Sequence, residues 1–209
     1  MSRKLPKLEH TGRPWRIHEF TSDFRVEDVW AFHTPGAGPD DFPVMREALR
    51  VHGGLSRNSA LASMIFAVRW KLGALFGWDR AETGLAGRVA SVRERLSDDL
   101  RQAGAGQPAG DTPFSTVYEL PDESADELAN NTMHTVLHLG WVRGDSGDYE
   151  LRMAALVKPN GLFGRLYMAG IAPFRYLLIY PALTRQWERA WRERAHLGAE
   201  PLMPAGERE

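Results

Sequence analysis

The sequence predicts an α+β fold: a curved antiparallel sheet wrapped around a long C-terminal helix, with extra helices inserted after the first strand. Apolar residues recur with helical spacing between residues 59 and 102, alternate with a period of two between residues 114 and 157, and return to helical spacing before residue 195. Strands joined by short turns pair in antiparallel order, and their apolar sides need a helix to cover them. We therefore expect one covered face and one solvated face.

The first elements are short. Residues 1–13 are basic and polar and are expected to be flexible. Trp15–Phe20 alternates apolar and polar side chains, which predicts the first strand. A short helix should follow, because residues 22–23 supply cap oxygens and Val26, Val29 and Trp30 share one helical face. Prolines and glycines in residues 33–43 predict a loop.

Two longer helices are predicted next. The clearer one spans Ser59–Trp78, whose apolar residues follow helical spacing, and Gly77 can end it. The other covers about Gly84–Gln102 and stops at the glycine-rich loop of residues 104–110.

The alternating period then predicts a meander of strands. A less regular strand through Glu127–Asn131 lies between the more regular ones, and residues 145–147 form a turn. We expect His134, Val136 and His138 on the solvated side, near Glu150 and Arg152. The apolar sides comprise Phe114, Thr116, Tyr118 and Leu120; Met133, Thr135, Leu137, Leu139 and Trp141; and Tyr149, Leu151, Met153, Ala155 and Val157.

A long helix ends the predicted domain. Pro173 suits a first helical turn, and Pro181 should kink the helix. Residues 198–209 are expected to form a flexible tail, which leaves a single domain over residues 14–197. The inward stripe of the helix comprises Leu177, Tyr180, Leu183, Trp187, Ala190 and Trp191.

The composition excludes several classes of function. Lys and Arg total 26 and Asp and Glu total 27, so the net charge of −1 offers no general attraction to nucleic acid. The absence of cysteine excludes disulfides, iron–sulfur clusters and thiolate nucleophiles. Residues 166–183 are apolar, but two prolines and Arg175 argue against a membrane span. Because the first residues lack a secretory signal, we expect a cytoplasmic protein.

No motif indicates a metal or an organic cofactor. His134 and His138 are four residues apart, which on a strand separates them by roughly 13 Å, too far to ligate one zinc ion. The chain has no Gly-x-Ser-x-Gly elbow, and the adjacent carboxylates at residues 40–41 and 98–99 suit a solvated surface.

Several segments carry a family resemblance. Residues 24–32 look like the strand-to-helix segment of the helix-grip superfamily (SRPBCC), which includes START lipid-transfer domains, polyketide cyclases and birch-pollen-type allergens. Asn131–His134 with His138, Val157–Met168 and Ala172–Pro181 more specifically resemble domain-of-unknown-function family 2867, over most of residues 15–195. The superfamily implies a START-like fold with a cavity between sheet and last helix that holds apolar ligands and only sometimes supports catalysis. The inserted helices depart from that pattern and would narrow or cap the cavity.

The implied cavity selects the candidate binding residues. Arg175 lies in an apolar segment, and because burying an unpaired guanidinium is costly, it must reach water, a carboxylate or a bound anion. One interpretation is structural pairing, and the other is that Arg175 holds the acidic head of an apolar ligand. Five further side chains are expected to face the same interior, as a ligand wall or as packed core: Tyr118, Trp141, Met153, Tyr167 and Tyr180.

Three functions are open at this point. The first is binding of a small apolar or amphipathic molecule between the sheet and the final helix. The second is an enzyme of the cyclase or dehydratase type, in which a tyrosine or histidine acts as general acid or base. The third is a protein-interaction or structural module without a ligand, and a homodimer is open in each case.

Overall fold

The chain is organised around one six-stranded sheet in which every neighbouring pair is antiparallel. The structure, a computed structural model, describes residues 2–52, 90–103, 114–129, 133–159 and 161–195. The spatial order is β1-β2-β6-β5-β4-β3, and the predicted α+β class with a curved antiparallel sheet is confirmed. The strands are β1 (Arg3–Leu5), β2 (Arg25–Phe32), β3 (Ser115–Glu119), β4 (Glu123–Ala129), β5 (Met133–Arg143) and β6 (Tyr149–Pro159).

Helices cover this sheet from several parts of the chain. A π-helical turn at Arg175–Ile179 joins the last two helices, and short 3-10 helices occupy Arg16–Glu19 and Val92–Arg95. The α-helices are α1 (Leu8–Thr11), α2 (Phe42–His52), α3 (Asp98–Ala103), α4 (Gly161–Phe174) and α5 (Tyr180–Glu193).

The β5–β6 hairpin forms the middle of the sheet. Its eleven-residue strands pair without a register shift, from Met133 opposite Pro159 to Arg143 opposite Tyr149. Gly147 closes the turn with φ of +93°, a conformation that glycine adopts without the cost a Cβ would impose. The predicted turn at residues 145–147 therefore lies where the sequence places it.

One face of the sheet, the helical face, packs against α2 and α5. The two helices contact each other as well as the strands. This core holds Phe32, Phe42, Met45, Leu139, Trp141, Leu151, Met153, Tyr180, Leu183, Trp187 and Trp191, all nearly inaccessible to water. Burial of this apolar surface is the main force that holds the C-terminal helix on the sheet.

The opposite face, the histidine face, is also buried, and the expectation of a solvated face is wrong. The N-terminal segment and residues 92–100 pack over it, with Ile17, Phe20, Val92 and Leu100 in its core. His134 and His138 are each only 1% exposed on this face. Pairing with buried glutamates makes their burial tolerable, because buried polar groups are stable when hydrogen-bonded.

The first two predicted elements have the wrong type of secondary structure: the predicted strand is helical and the predicted helix is a strand. Trp15–Phe20, expected as a strand, contains the 3-10 helix Arg16–Glu19, and the segment expected as a short helix is β2. β2 lies between β1 and β6 with both faces covered, so its apolar residues need not alternate. A register shift between Val26 and Asp28 further obscures its period of two.

The remaining predictions differ in outcome. Residues 3–5 and 8–11, placed in a flexible segment by the sequence, form β1 and α1. The predicted helix Ser59–Trp78 lies outside the described residues, as do the flexible tail of residues 198–209 and the first part of the helix Gly84–Gln102. The described part of that second helix is divided into a 3-10 helix and α3.

Two prolines shape the C-terminal helices. Pro173 lies near the end of α4, so its prediction as part of a first helical turn is wrong, whereas Pro181 occupies the first turn of α5. Between them the backbone forms the π-helical turn, which interrupts the predicted helix as expected at a proline. Of the predicted inward stripe, five residues are buried, but Leu177 is 74% exposed because the wider turn rotates it outward.

No helix in the described part of the chain combines the length and the apolarity that crossing a membrane requires.

Candidate functional site

A cleft of about 530 Å³ opens at the end of the sheet where β5 finishes and β4 and β6 begin. We call it the end cleft. The backbone N–H of Trp141 donates to the carbonyl of Asp122 at 2.7 Å, which holds the β3–β4 turn against β5. The side chains that determine its chemistry are Arg13, Trp15, Glu123, Trp141, Arg143 and Tyr149.

Aromatic rings form two walls of the end cleft. The indole N–H of Trp141 donates to the carbonyl of Gly38 at 2.9 Å, and its ring is stacked with Tyr149 at 6.4 Å between centroids. Trp15 contributes a third ring. Trp15 and Tyr149 are half-buried and offer part of their ring surface to the cleft, whereas Trp141 is 4% exposed and borders it from the core of the helical face. Rings fixed in this way can contact a flat ligand at little cost in conformational entropy.

Trp15 is seated on the sheet by a glycine. A Cβ at Gly140 would lie only 2.7 Å from Cη2 of Trp15, so no larger residue fits beneath the indole ring. The same ring lies 5.2 Å from the imidazole of His138. Gly140 thus lets Trp15 approach β5 closely and cover His138.

Two guanidinium groups of the end cleft have no carboxylate partner within 4 Å among the described residues. The Nε atom of Arg13 is buried without a hydrogen-bond acceptor there, and Arg143 donates through Nε only to the carbonyl of Gly147, at 3.3 Å. Arg16 differs, since it is paired with Glu19 at 2.7 Å and Asp99 at 3.0 Å. Arg13 and Arg143 can therefore bind an external anion.

Glu123 supplies a buried carboxylate at the same cleft and is 3% exposed. Oε1 accepts a hydrogen bond from the backbone N–H of Arg16 at 2.9 Å. Oε2 accepts from the hydroxyl of Tyr118 at 3.2 Å and from Nε2 of His138 at 2.8 Å. These three donors satisfy the carboxylate, and no lysine or arginine side chain of the described residues lies within 4 Å of it.

A chain of histidines continues from Glu123 into the protein. Because Nε2 of His138 donates to the carboxylate, Nδ1 of a neutral His138 is an acceptor, and Nε2 of His10 lies 3.2 Å from it. His10 therefore donates to His138. Nδ1 of His10 has no partner among the described residues.

The pKa values agree with this assignment of protons. Burial, aided by His138 and His18, lowers the pKa of His10 to about 2. Burial also lowers the pKa of His138, although the hydrogen bond to Glu123 opposes this. Burial and the charge of Glu123 raise the pKa of Tyr118 well above its ordinary value. Both histidines are consequently neutral, and Tyr118 keeps its proton.

A second histidine–glutamate pair lies further along the same face. His134 is 3.0 Å from Glu127, whose carboxylate also accepts from the hydroxyl of Ser91 and from the N–H of Val92 at 2.9 Å. This carboxylate holds the segment at residues 91–95 on the sheet. Within the described residues, no group of three or more histidine, aspartate or glutamate side chains is arranged to hold a metal ion.

The structure separates the six binding residues predicted from the sequence. Trp141, Met153 and Tyr180 lie together in the core of the helical face, whereas Tyr118 belongs to the core of the histidine face. Tyr167 lies on α4, and its side chain is outside the described part of the structure. The expectation that all six face one interior is therefore not met by Tyr118, because its strand turns this residue to the other side of the sheet.

Arg175 has carboxylate partners. It is 3.2 Å from Glu27 and 3.5 Å from the buried Asp28. Asp28 also accepts from the hydroxyls of Tyr176 and of Tyr180, the latter at 2.8 Å, and is near Lys4. Burial raises the pKa of Asp28, but these donors and the charge of Arg175 lower it overall. Of the two interpretations of Arg175, these contacts favour structural pairing with carboxylates over binding of a ligand's acidic head.

Among the described residues, aromatic side chains of β2 and α5 pack against each other. Trp30 contacts Tyr180 with 4.8 Å between centroids, and Phe32 contacts Trp187 at 4.6 Å.

The end cleft was not predicted, because its residues come from five segments. One signal was present in the sequence: a glycine in the middle of a regular strand, Gly140, indicates close approach of another group.

The site defines an α+β protein with a polar and aromatic cleft at one end of its sheet and a buried histidine–carboxylate chain beside it. A family model described as protein of unknown function (DUF2867) matches residues 20–182, and the chain belongs to this family, as its sequence motifs predict. No curated protein and no solved structure shows significant similarity to the chain. The family match includes Glu123, His138 and Arg143, but it begins at residue 20 and therefore does not include Arg13 and Trp15.

Proposed function

We propose that the protein binds a small amphipathic molecule in the end cleft, through an anionic group and a flat apolar body. The volume of about 530 Å³ is within the range of roughly 300–1,000 Å³ typical of small-molecule sites. Trp15, Trp141 and Tyr149 would contact the apolar body. Arg13 and Arg143 would bind the anionic group.

The observation that carries this proposal is a cleft lined by two arginines without carboxylate partners among the described residues, the half-buried Arg13 and the exposed Arg143. Elsewhere the buried arginines are neutralised: Arg46 pairs with Asp126 at 3.0 Å and Arg152 with Glu150 at 3.1 Å. Arg13 differs from these arginines in having no carboxylate partner within 4 Å among the described residues. Its Nε, like those of Arg46 and Arg175, is buried without an acceptor there. A bound anion would supply that acceptor, since a buried donor left unpaired costs about 1–3 kcal/mol.

This proposal keeps the ligand class expected from the sequence and moves the site. Arg175 is neutralised by Glu27 and Asp28, so it has little charge to offer a ligand. The helix-grip, START-like assignment stays a prediction, supported by a C-terminal helix lying on a curved antiparallel sheet.

Isothermal titration calorimetry with indolepropionate, naphthoate and phenylpropionate tests the proposal. Charge-assisted hydrogen bonds contribute about 1.5–3 kcal/mol, so Arg13→Met and Arg143→Met should each weaken binding roughly tenfold or more. The matched control is Arg189→Met, which removes an exposed arginine of α5. Absence of saturable binding for all three acids, or equal losses in the control, would contradict the proposal.

A further inference from the structure

Glu123 is a buried carboxylate that lacks a counterion. Three other buried carboxylates are compensated by a cationic side chain: Asp28 lies 3.2 Å from Lys4, Asp126 lies 3.0 Å from Arg46, and Glu150 lies 3.1 Å from Arg152. Around Glu123, no lysine or arginine side chain of the described residues lies within 4 Å. A buried charge is ordinarily paired, because removing it from water is costly.

The three donors to Glu123 are neutral. They are a backbone N–H, the hydroxyl of Tyr118, and His138, whose burial keeps it uncharged. Glu127 is bonded to His134 in a similar way, but it is not among the residues that line the end cleft. Glu123 is therefore the buried anion that a ligand in the end cleft can reach.

One acceptor position on Glu123 is still free. Oε2 accepts two hydrogen bonds. Among the described residues, Oε1 accepts only one, from the backbone N–H of Arg16. An ionised carboxylate oxygen has two lone pairs, so Oε1 can accept one more donor. Asp122 also borders the cleft, but it is exposed, and water and salt screen its charge.

We propose that the end cleft recognises a zwitterion: a flat molecule whose ammonium group binds Glu123 and whose acidic group binds Arg13 and Arg143. This inference rests on the proposed function and narrows its ligand class to aromatic amino acids and related amino acids. The ligand would bring the missing positive charge to Glu123 and the missing negative charge to the two arginines, so both kinds of charge in the cleft are neutralised in one event. A ligand with only one charge leaves the other kind uncompensated.

Calorimetry with three indole compounds isolates each charge. Tryptophan carries both groups, indolepropionate lacks the ammonium group, and tryptamine lacks the carboxylate. For the wild-type protein, we expect tryptophan to bind about tenfold or more tightly than either single-charge compound, as an added charged hydrogen bond implies. Equal affinities for tryptophan and indolepropionate would overturn the inference without any variant being made.

Variants then assign the effect to Glu123. Glu123→Gln should reduce tryptophan affinity to the level of indolepropionate and leave indolepropionate binding within twofold of wild type. Asp122→Asn is the matched control, with less than a twofold effect expected on either compound. Retention of the tryptophan preference in Glu123→Gln, or its loss in Asp122→Asn, would contradict the role of Glu123. Failure of both tryptophan and indolepropionate to bind would instead count against the proposed function.

Discussion

Acidification is expected to destabilise this fold through His10. In the folded protein, burial holds the pKa of His10 at about 2, compared with 6.5 for the unperturbed group. Below that unperturbed value the unfolded chain binds a proton that the folded protein does not, so the free energy of unfolding falls as pH falls. The contribution of His10 is complete above pH 6.5 and is lost progressively below it.

The size of this effect follows from proton linkage. Each pH unit over which only the unfolded state is protonated costs about 1.4 kcal/mol, so a change from pH 6.5 to about pH 5 removes about 2 kcal/mol through His10. His138 acts in the same direction, because burial lowers its pKa as well. Typical domains are stable by about 5–15 kcal/mol, so the loss is easily measured.

Urea unfolding at about pH 7 and about pH 5 measures this effect. His10→Gln keeps an N–H that can donate to His138 but does not titrate, so its stability should fall by about 2 kcal/mol less than that of wild type over this range. His33→Gln, which removes an exposed histidine, provides the baseline. If wild type and His10→Gln lose equal stability, His10 is not a buried neutral histidine and the hydrogen-bonded chain to Glu123 is wrong.

Three further substitutions test the packing and the site. Gly140→Ala should displace the ring of Trp15, because the added Cβ would lie 2.7 Å from it, and calorimetry should show weaker indolepropionate binding with little change in secondary structure by circular dichroism. Trp187→Ala should cost about 3–5 kcal/mol in urea unfolding, because a nearly inaccessible ring leaves a cavity; a loss below about 1 kcal/mol would show that the core of the helical face is not tightly packed. Arg175→Met should lower stability by about 1–3 kcal/mol, since Asp28 keeps Lys4 and two hydroxyl donors, and it should leave indolepropionate binding unchanged. Weaker binding by Arg175→Met would indicate that the ligand binds beside α5 and not in the end cleft.

The sheet's centre was predictable because its signal is local. Apolar residues occupy every second position over 137–141 in β5 and over 149–153 in β6, and the turn between the strands contains the glycine that its geometry requires. The sequence therefore predicts their pairing and the two sets of side chains. For the set that contains His134 and His138 it predicts a solvated environment, which is wrong. No local feature of the sequence indicates that residues 15–24 and 92–100 pack over these histidines.

β2 was not predictable by the same argument. Its side chains are buried on both faces, and Asp28 is fully inaccessible because Lys4, Arg175 and two tyrosines surround it. An aspartate and unalternating apolar residues are poor signals for a central strand. The partners that make this strand stable lie as many as 152 residues away along the chain.

The sequence by itself determined the α+β class, the β5–β6 hairpin, the buried stripe of α5 and the family, because periodicity and motifs are properties of neighbouring residues. Only the tertiary structure decided that Arg175 is neutralised, that both faces of the sheet are covered, and that Arg13, Trp15, Glu123 and Arg143 share a cleft. The physical reason is that the charge state and the accessibility of a side chain depend on groups brought close by folding, which sequence spacing does not record.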